Sequence, residues 1–518
     1  MYSRIRSAVC FGMEGREVFV ETDISRGLPS IGVVGLASTM VMESRERIRK
    51  AIENSGYEYP KGRITVNLTP ASLRKNSSCL DLPIAIGILA SEGNIRVRVA
   101  EDWAVIGELA LDGRVLGVEG ALPMMLHMKD IGVKGIIVPE ANRMEAVLAG
   151  GNIFTVRSLR ECSILMCMDP VKAAADPEVA MLKACKGNDL AEMFNEDSSQ
   201  NMKTESDQEF GDIVGQENAK RAVVIAAAGR HGILMVGSPG CGKTMIAGRM
   251  AGVMPAMTER EMLETAIVRS ISGYGMDSFR MWNRRPFRAP HHTIGRAGLI
   301  GGGLYPVPGE ITLAHNGVLF LDEICEFNKE TIESLRIPIE EKKITHFRKG
   351  EAYTFPCNCQ VVMAANPCPC GYLGDRDREC TCTQADLEKY RRKLSGPIID
   401  RIDMYINMEK VEYKDLSEKK SGLTTAEMRS QVIRAIDFAR RQGRKGFNSD
   451  LSTREFDIYC RLGDAERKFM SRAYDAFAMS PRAYSRTLKV ARTIADIDES
   501  DEIKTSHLAE ALNYRMKE

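Results

Sequence analysis

The stretch Ile233-Leu234-Met235-Val236-Gly237-Ser238-Pro239-Gly240-Cys241-Gly242-Lys243-Thr244 decides how this 518-residue chain is read. Its first four residues are an apolar run of the kind that forms a buried strand, and the eight from Gly237 to Thr244 fit the pattern G-x-x-x-x-G-K-[ST]. The glycines let successive backbone N–H groups curl around a β-phosphate at the start of a helix. Lys243 then reaches the β and γ oxygens, and the Thr244 hydroxyl holds Mg2+. Met245 to Ala251 continues as the phosphate-binding helix. Gly237, Ser238, Pro239, Gly240, Cys241, Gly242, Lys243 and Thr244 are therefore the nucleotide-binding candidates, and the expected ligands are ATP and Mg2+. A chance match in a surface turn is the competing reading, and the strand before and helix after oppose it.

Two further apolar runs supply the chemistry. In Gly317-Val318-Leu319-Phe320-Leu321-Asp322-Glu323-Ile324, the apolar residues bury a parallel strand. Asp322 and Glu323 then fall at its carboxyl end, where open α/β sheets bind ligands. Asp322 is expected to hold Mg2+ with Thr244, and Glu323 to orient or deprotonate the attacking water. The run Gln360 to Ala365 delivers Asn366, whose amide can hydrogen-bond that water or the γ-phosphate without adding negative charge. Adjacent acids or an Asn before Pro367 are ordinary turn residues elsewhere; beside a phosphate loop they read as catalytic.

Composition limits the alternatives. A chain of this length exceeds one core, so several domains are expected. With 44% hydrophobic and 27% charged residues the usage is that of a soluble globular protein. No stretch approaches the roughly 18 apolar residues of a membrane span, and the N-terminus lacks a signal h-region, so a cytoplasmic protein without a membrane partner is expected. Most of the 14 cysteines are read as reduced core thiols. The net charge of +1 gives no global sign of nucleic-acid binding, which must rest on local basic loops.

Four segments are expected: a compact α/β domain over 1–165, a polar linker over 166–209, the nucleotide-binding core over 210–409 and a helical region over 410–518. Strands are predicted over 16–21 and 63–68 and a helix over 41–54, and no solenoid repeat is visible.

The core motifs taken in order resemble AAA+ ATPases, with Walker A at 237–244, Walker B at 317–323 and a sensor-1 Asn366. Ile213 to Ala222 is similar to the motif that lies beside the adenine. Arg288-Ala289-Pro290-His291-His292-Thr293, Pro308-Gly309-Glu310, Ala314-His315-Asn316-Gly317, Asn366-Pro367-Cys368-Pro369-Cys370-Gly371 and Leu394 to Asp403 resemble the magnesium-chelatase-like ATPases of the YifB/ComM family. The resemblance spans essentially the whole chain. It implies a homohexameric ring with ATP between subunits, Arg401 as the arginine finger acting in trans, and Arg482 as the sensor-2 arginine of a helical lid, with Arg486 one turn later as the alternative. It also implies a motor that moves on DNA in the manner of branch-migration helicases in recombination or DNA uptake. A protein-remodelling ATPase, an ATP-dependent protease and a magnesium-chelatase motor subunit stay open.

Between Arg280 and Arg296 lie five arginines, two histidines, Trp282 and Phe287, with no acid. A second basic cluster, 342–349, sits where two short strands could form a hairpin. Both fit phosphate contact with stacking groups, so DNA is the expected partner of 280–296 and 342–349, with Arg348 and Lys349 foremost. Contact with a neighbouring subunit's nucleotide or acidic face is the other reading.

Cys368 and Cys370 with Cys380 and Cys382 form two C-x-C pairs whose density suits a structural zinc site with four cysteine ligands, against a fortuitous cluster of reduced thiols.

Arg63 to Lys75, Leu82 to Gly87 and Ile106 to Leu116 resemble the proteolytic domain of Lon-type proteases, an α+β fold like domain 2 of ribosomal protein S5. By register Cys79 stands where that family has its nucleophilic serine, and Leu122 where it has its lysine base. Leucine cannot take a proton, so an inactive scaffold or partner-binding domain is expected.

Overall fold

The computed structural model describes residues 2–35, 39–71, 78–97, 100–184, 209–273, 283–375, 378–394, 398, 401–410 and 422–515. They gather into two compact units. One holds Met1–Asn201 with Glu259–Trp282 and Phe347–Thr354; the other holds Met202–Thr258, Asn283–His346 and Phe355–Glu518.

The first unit is built on a seven-stranded mixed sheet in the spatial order Ser30–Val34, Arg63–Thr69, Glu14–Ser25, Tyr2–Phe11, Trp103–Val105, Gly135–Pro139, Ile153–Val156. Its centre is a long antiparallel pair running from Tyr2 opposite Asp23 to Phe11 opposite Glu14. Strict alternation sets the inner face: Ile64, Val66 and Leu68 are buried while Arg63 and Thr65 are exposed. The helices Asp81–Glu92 and Ala121–Asp130 pack there, the former buried through Leu82–Leu89 and stopped by Gly93 at φ +89.

Two expected boundaries move. The segment after 165 does not turn at once into a linker: Pro170–Ala175 is a helix capped by Asp169, with Ala173 buried. The Ala184 N–H then donates to Ile153 O at 2.8 Å, adding to the sheet's last strand. Small apolar residues between charges carry that packing, and their burial leaves little compositional trace. The remainder of the expected linker, 185–208, lies outside the described residues. The 210–409 block also loses the helix Glu259–Ile271 to the first unit, where Leu122 N donates to Ser270 Oγ at 3.2 Å.

In the second unit five parallel strands run in the order Phe287–Arg288, Val318–Leu321, Gln360–Ala365, Ile233–Gly237, Met404–Met408. Alternate residues feed two cores. Met235, Phe320, Val362 and Ala364 enter one, and Leu234, Leu319, Val361 and Met363 the other. The expected division at 409/410 separates segments of a single core, because Met428, Val432 and Ile494 share the first cluster with Val223 and Met235.

A buried polar chain joins strand and helices. His231 Nδ1 lies 2.9 Å from Asp403, and Nε2 lies 2.8 Å from Thr493 Oγ1. Asn448 Nδ2 donates to both Thr493 (3.0 Å) and Asp496 (2.7 Å). Asp496 also accepts from Arg444 at 2.6 and 2.9 Å and from Arg492 at 3.1 Å.

Candidate active site

Strand register assembles the site. Val236 pairs with Ala365 and Leu321 with Met363, so Gly237, Asp322 and Asn366 emerge at the same edge of the sheet. Gly240 and Gly242 have φ of +81 and +92, and a Cβ on either would meet nothing within 4 Å. Glycine is needed there for the backbone angle alone, which turns the N–H groups inward.

Lys243, 8% exposed, is the first residue of the helix Lys243–Val253. Its ammonium donates to Gly237 O (2.6 Å), Ser238 O (3.1 Å) and Asn366 Oδ1 (3.2 Å). Thr244 Oγ1 donates to Asp322 Oδ2 at 2.7 Å, and Asp322 Oδ1 accepts from Glu323 N at 2.9 Å. Glu323 sits at φ +49 with its side chain exposed. This left-handed turn takes its carboxylate out of the strand direction. The cation, the hydroxyl, two acids and an amide thus converge from three strand ends, which suits a magnesium nucleoside triphosphate with water on its γ-phosphate.

Three further contributors come from the fold: His292 and Gln216 lie in motifs quoted above without a role of their own, and Glu340 lies in none. His292 Nδ1 stands 3.8 Å from Glu323 Oε2. Gln216 Nε2 donates to Cys241 O (3.3 Å) and to Glu409 O, tying the phosphate loop to the end of the neighbouring strand. Glu340 is the third: Arg401 lies 2.8 Å from its Oε1, and Arg482 bonds the same oxygen. The Arg401 hydrogen bond, with that of Arg482, holds the Glu340 carboxyl below the usual glutamate range. No local spacing marks these pairs, which join remote segments. Arg401 is 5% exposed as a side chain and Arg482 half exposed. Arg486 donates to Ile402 O at 2.8 Å.

The basic segments divide. Arg285 donates to Pro255 O and Asn316 O, both at 2.6 Å, and Arg288 makes a two-pronged pair with Glu310 at 2.6 and 2.8 Å. Lys342 is bonded to Asp450. These three serve the fold, while Arg280 and Trp282 lie outside the described residues. The expected hairpin forms from Lys343–Arg348 and Glu351–Pro356. It exposes Arg348 and Lys349 at its turn beside Phe347, which is 71% exposed.

The four sulfurs of Cys368, Cys370, Cys380 and Cys382 all lie within 4.8 Å of one another. Cys357 stands apart from this cluster, its thiol donating to Pro338 O at 3.4 Å. In the first unit Cys79 is fully buried, with Sγ donating to Ala8 O at 3.6 Å, and Leu122 is fully buried as well. Of the two lysines that a shifted register would offer as the base, Lys129 donates to Ala149 O at 2.8 Å and Lys75 lies outside the described residues. No helix among the described residues is long and apolar enough to cross a membrane.

The five-stranded order, the phosphate loop on its inner strand, the acidic strand end and the amide from the strand between them define an AAA+ P-loop ATPase core. Magnesium chelatase subunit ChlI families match residues 209–416 and 20–142, and the subunit's C-terminal family matches 422–515. Competence protein ComM of Haemophilus influenzae is 37% identical over 99% of this chain and 97% of its own length. YifB of Escherichia coli, an uncharacterized protein, is 37% identical over 99% and 97%. Lon protease 2 of Bacillus subtilis is 30% identical over 26% of each chain. The chain belongs to the magnesium-chelatase-like YifB/ComM family of AAA+ ATPases, with a Lon-like domain at its N-terminal end.

Proposed function

We propose that this chain hydrolyses ATP within a homohexameric ring and couples turnover to movement along DNA. The observation that carries the DNA reading is the hairpin 343–356, whose exposed end carries Phe347, Arg348 and Lys349. Cations meet phosphates and a ring stacks on bases, with no need for sequence readout. In the ATPase step the phosphate-loop amides hold the β-phosphate and Lys243 neutralises the β and γ oxygens. Thr244 and Asp322 are placed to hold Mg2+, which supplies charge neutralisation on the transferring phosphoryl group. Glu323 takes the proton of the attacking water, which Asn366 orients, and His292 positions the Glu323 carboxylate. Arg401 and Arg482 act by leaving Glu340 for nucleotide phosphate, Arg401 toward a neighbouring subunit's site.

ComM is named for competence, and DNA uptake or recombination in the cytoplasm is the setting in which such a helicase-like motor would act. The Lon-like domain serves as a scaffold or partner-binding module, a reading supported by Leu122. Exposed Phe347 equally suits gripping an extended polypeptide, the second reading. The ATPase rate with and without single-stranded and forked DNA, with Glu323→Gln as control, separates them. Several-fold stimulation that the control loses supports the DNA motor. Hydrolysis indifferent to DNA overturns it in favour of protein remodelling.

A further inference from the structure

The cysteine quartet is not used by the ATPase step, yet it begins two residues after Asn366. Cys368 Sγ lies 3.3 Å from Cys370 Sγ and 3.6 Å from Cys380 Sγ, and the Cys370 and Cys380 sulfurs are 3.5 Å apart. Four thiolates around one tetrahedral Zn2+, with Zn–S of about 2.3 Å, stand about 3.8 Å from one another, close to what is seen. A disulfide needs about 2.05 Å. A multi-iron cluster needs its cysteines spread over different irons, which sulfurs this close together cannot provide. Two backbone N–H groups also point at sulfur: Cys370 N at 3.4 Å from Cys382 Sγ and Leu373 N at 3.3 Å from Cys368 Sγ. Such donors lower the cost of gathering thiolate charge.

The same loop touches the phosphate loop. Gly371, at φ +85, comes so near that a Cβ there would lie 2.9 Å from both Cδ and Cγ of Pro239. Its N–H is fixed to Cys368 O at 3.0 Å. Anything that sets the positions of Cys368 and Cys370 therefore sets Gly371 against Pro239 on one side and the exit of the Asn366 strand on the other.

We infer that Cys368, Cys370, Cys380 and Cys382 bind one Zn2+ as thiolates, and that the knuckle so formed buttresses Pro239 and Asn366 for nucleotide binding. Binding releases the proton of each thiol that is still protonated and involves no redox change. The metal site stands on sulfur geometry alone, while the buttressing rests on the nucleotide reading above.

The full-length chain, purified reduced and without added metal, is assayed for metals by mass spectrometry and titrated with Co2+ after chelation. About one zinc per chain is expected, with the intense thiolate-to-cobalt absorption of a tetrahedral site of four sulfurs. Cys380→Ser with Cys382→Ser abolishes both; Cys167→Ser keeps them. Gly371→Ala keeps the zinc and weakens binding of a fluorescent ATP analogue about tenfold, because Pro239 must shift. Wild-type protein with neither zinc nor a tetrahedral cobalt spectrum overturns the site, whatever the fate of the variants. Zinc present with Gly371→Ala binding nucleotide like wild type overturns the buttress. If wild type holds zinc but binds no nucleotide, the P-loop reading fails while the metal site stands.

Discussion

Asp496→Asn tests the buried polar chain of the second unit. The Asp496 side chain is 2% exposed and lies between Arg444 at 1% and Arg492 at 3%. Asparagine keeps the size but removes the only formal negative charge facing these two guanidinium groups at hydrogen-bond distance among the described residues. Its amide also turns donors toward donors. Arg492 keeps Asp501 O at 2.8 Å and Ser500 O, so part of its bonding survives; Arg444 keeps Asn448 Oδ1 at 3.2 Å. Breaking a buried pair by removing one partner costs about 3–5 kcal/mol. For a domain of this class, with about 2–4 °C of Tm per kcal/mol, the expected drop is on the order of 10 °C. Scanning calorimetry of the full chain, wild type against variant, reads it. A shift below about 2 °C, small against that scale, would refute the claim that this network holds helices to sheet.

Lys243→Ala is expected to abolish binding of a fluorescent ATP analogue, since its ammonium is the cation at the loop's centre. Glu323→Gln binds ATP but hydrolyses it about a hundredfold or more slowly, and normal turnover would mean the base lies elsewhere. Arg348→Ala with Lys349→Ala weakens DNA binding and flattens the log affinity against log salt slope by about two, measured by fluorescence anisotropy. For Glu340 the folded carboxyl titrates below its unfolded value, so its ion pairs stabilise above the unfolded value and are lost as pH falls through the folded one. Melting temperatures of wild type and Glu340→Gln therefore differ near neutrality and converge in acid.

The phosphate loop, both catalytic strands and the hairpin were legible because each is a short apolar or alternating run bounded by glycine, acid or proline. Burial in a parallel sheet forces such runs to be apolar whatever the rest of the chain does. What stayed hidden is pairing between distant segments. Nothing near Arg288 announces Glu310, and nothing near Arg401 or Arg482 announces that both meet Glu340. Counting arginines in 280–296 therefore overstated the cations available to a ligand. The compact units differ from the expected segments for a related reason: Glu259–Ile271 reads as an ordinary helix of the core, and its contacts with Gly120 and Leu122 group it with the first unit.

The hairpin has a mechanical consequence that follows from where its two roots lie. Cys357 N donates to Lys342 O at 2.9 Å, pinning the base. One root leaves the helix Arg336–Glu341, which carries Glu340; the other passes through only Cys357–Cys359 into the strand that ends at Asn366. Each of these connections is only one to three residues long, and a residue spans at most about 3.3–3.6 Å. A change of register at either root would therefore be passed along the chain to the helix that carries Glu340 or to the strand that ends at Asn366. Hairpin register and site geometry are set by the same two short connections.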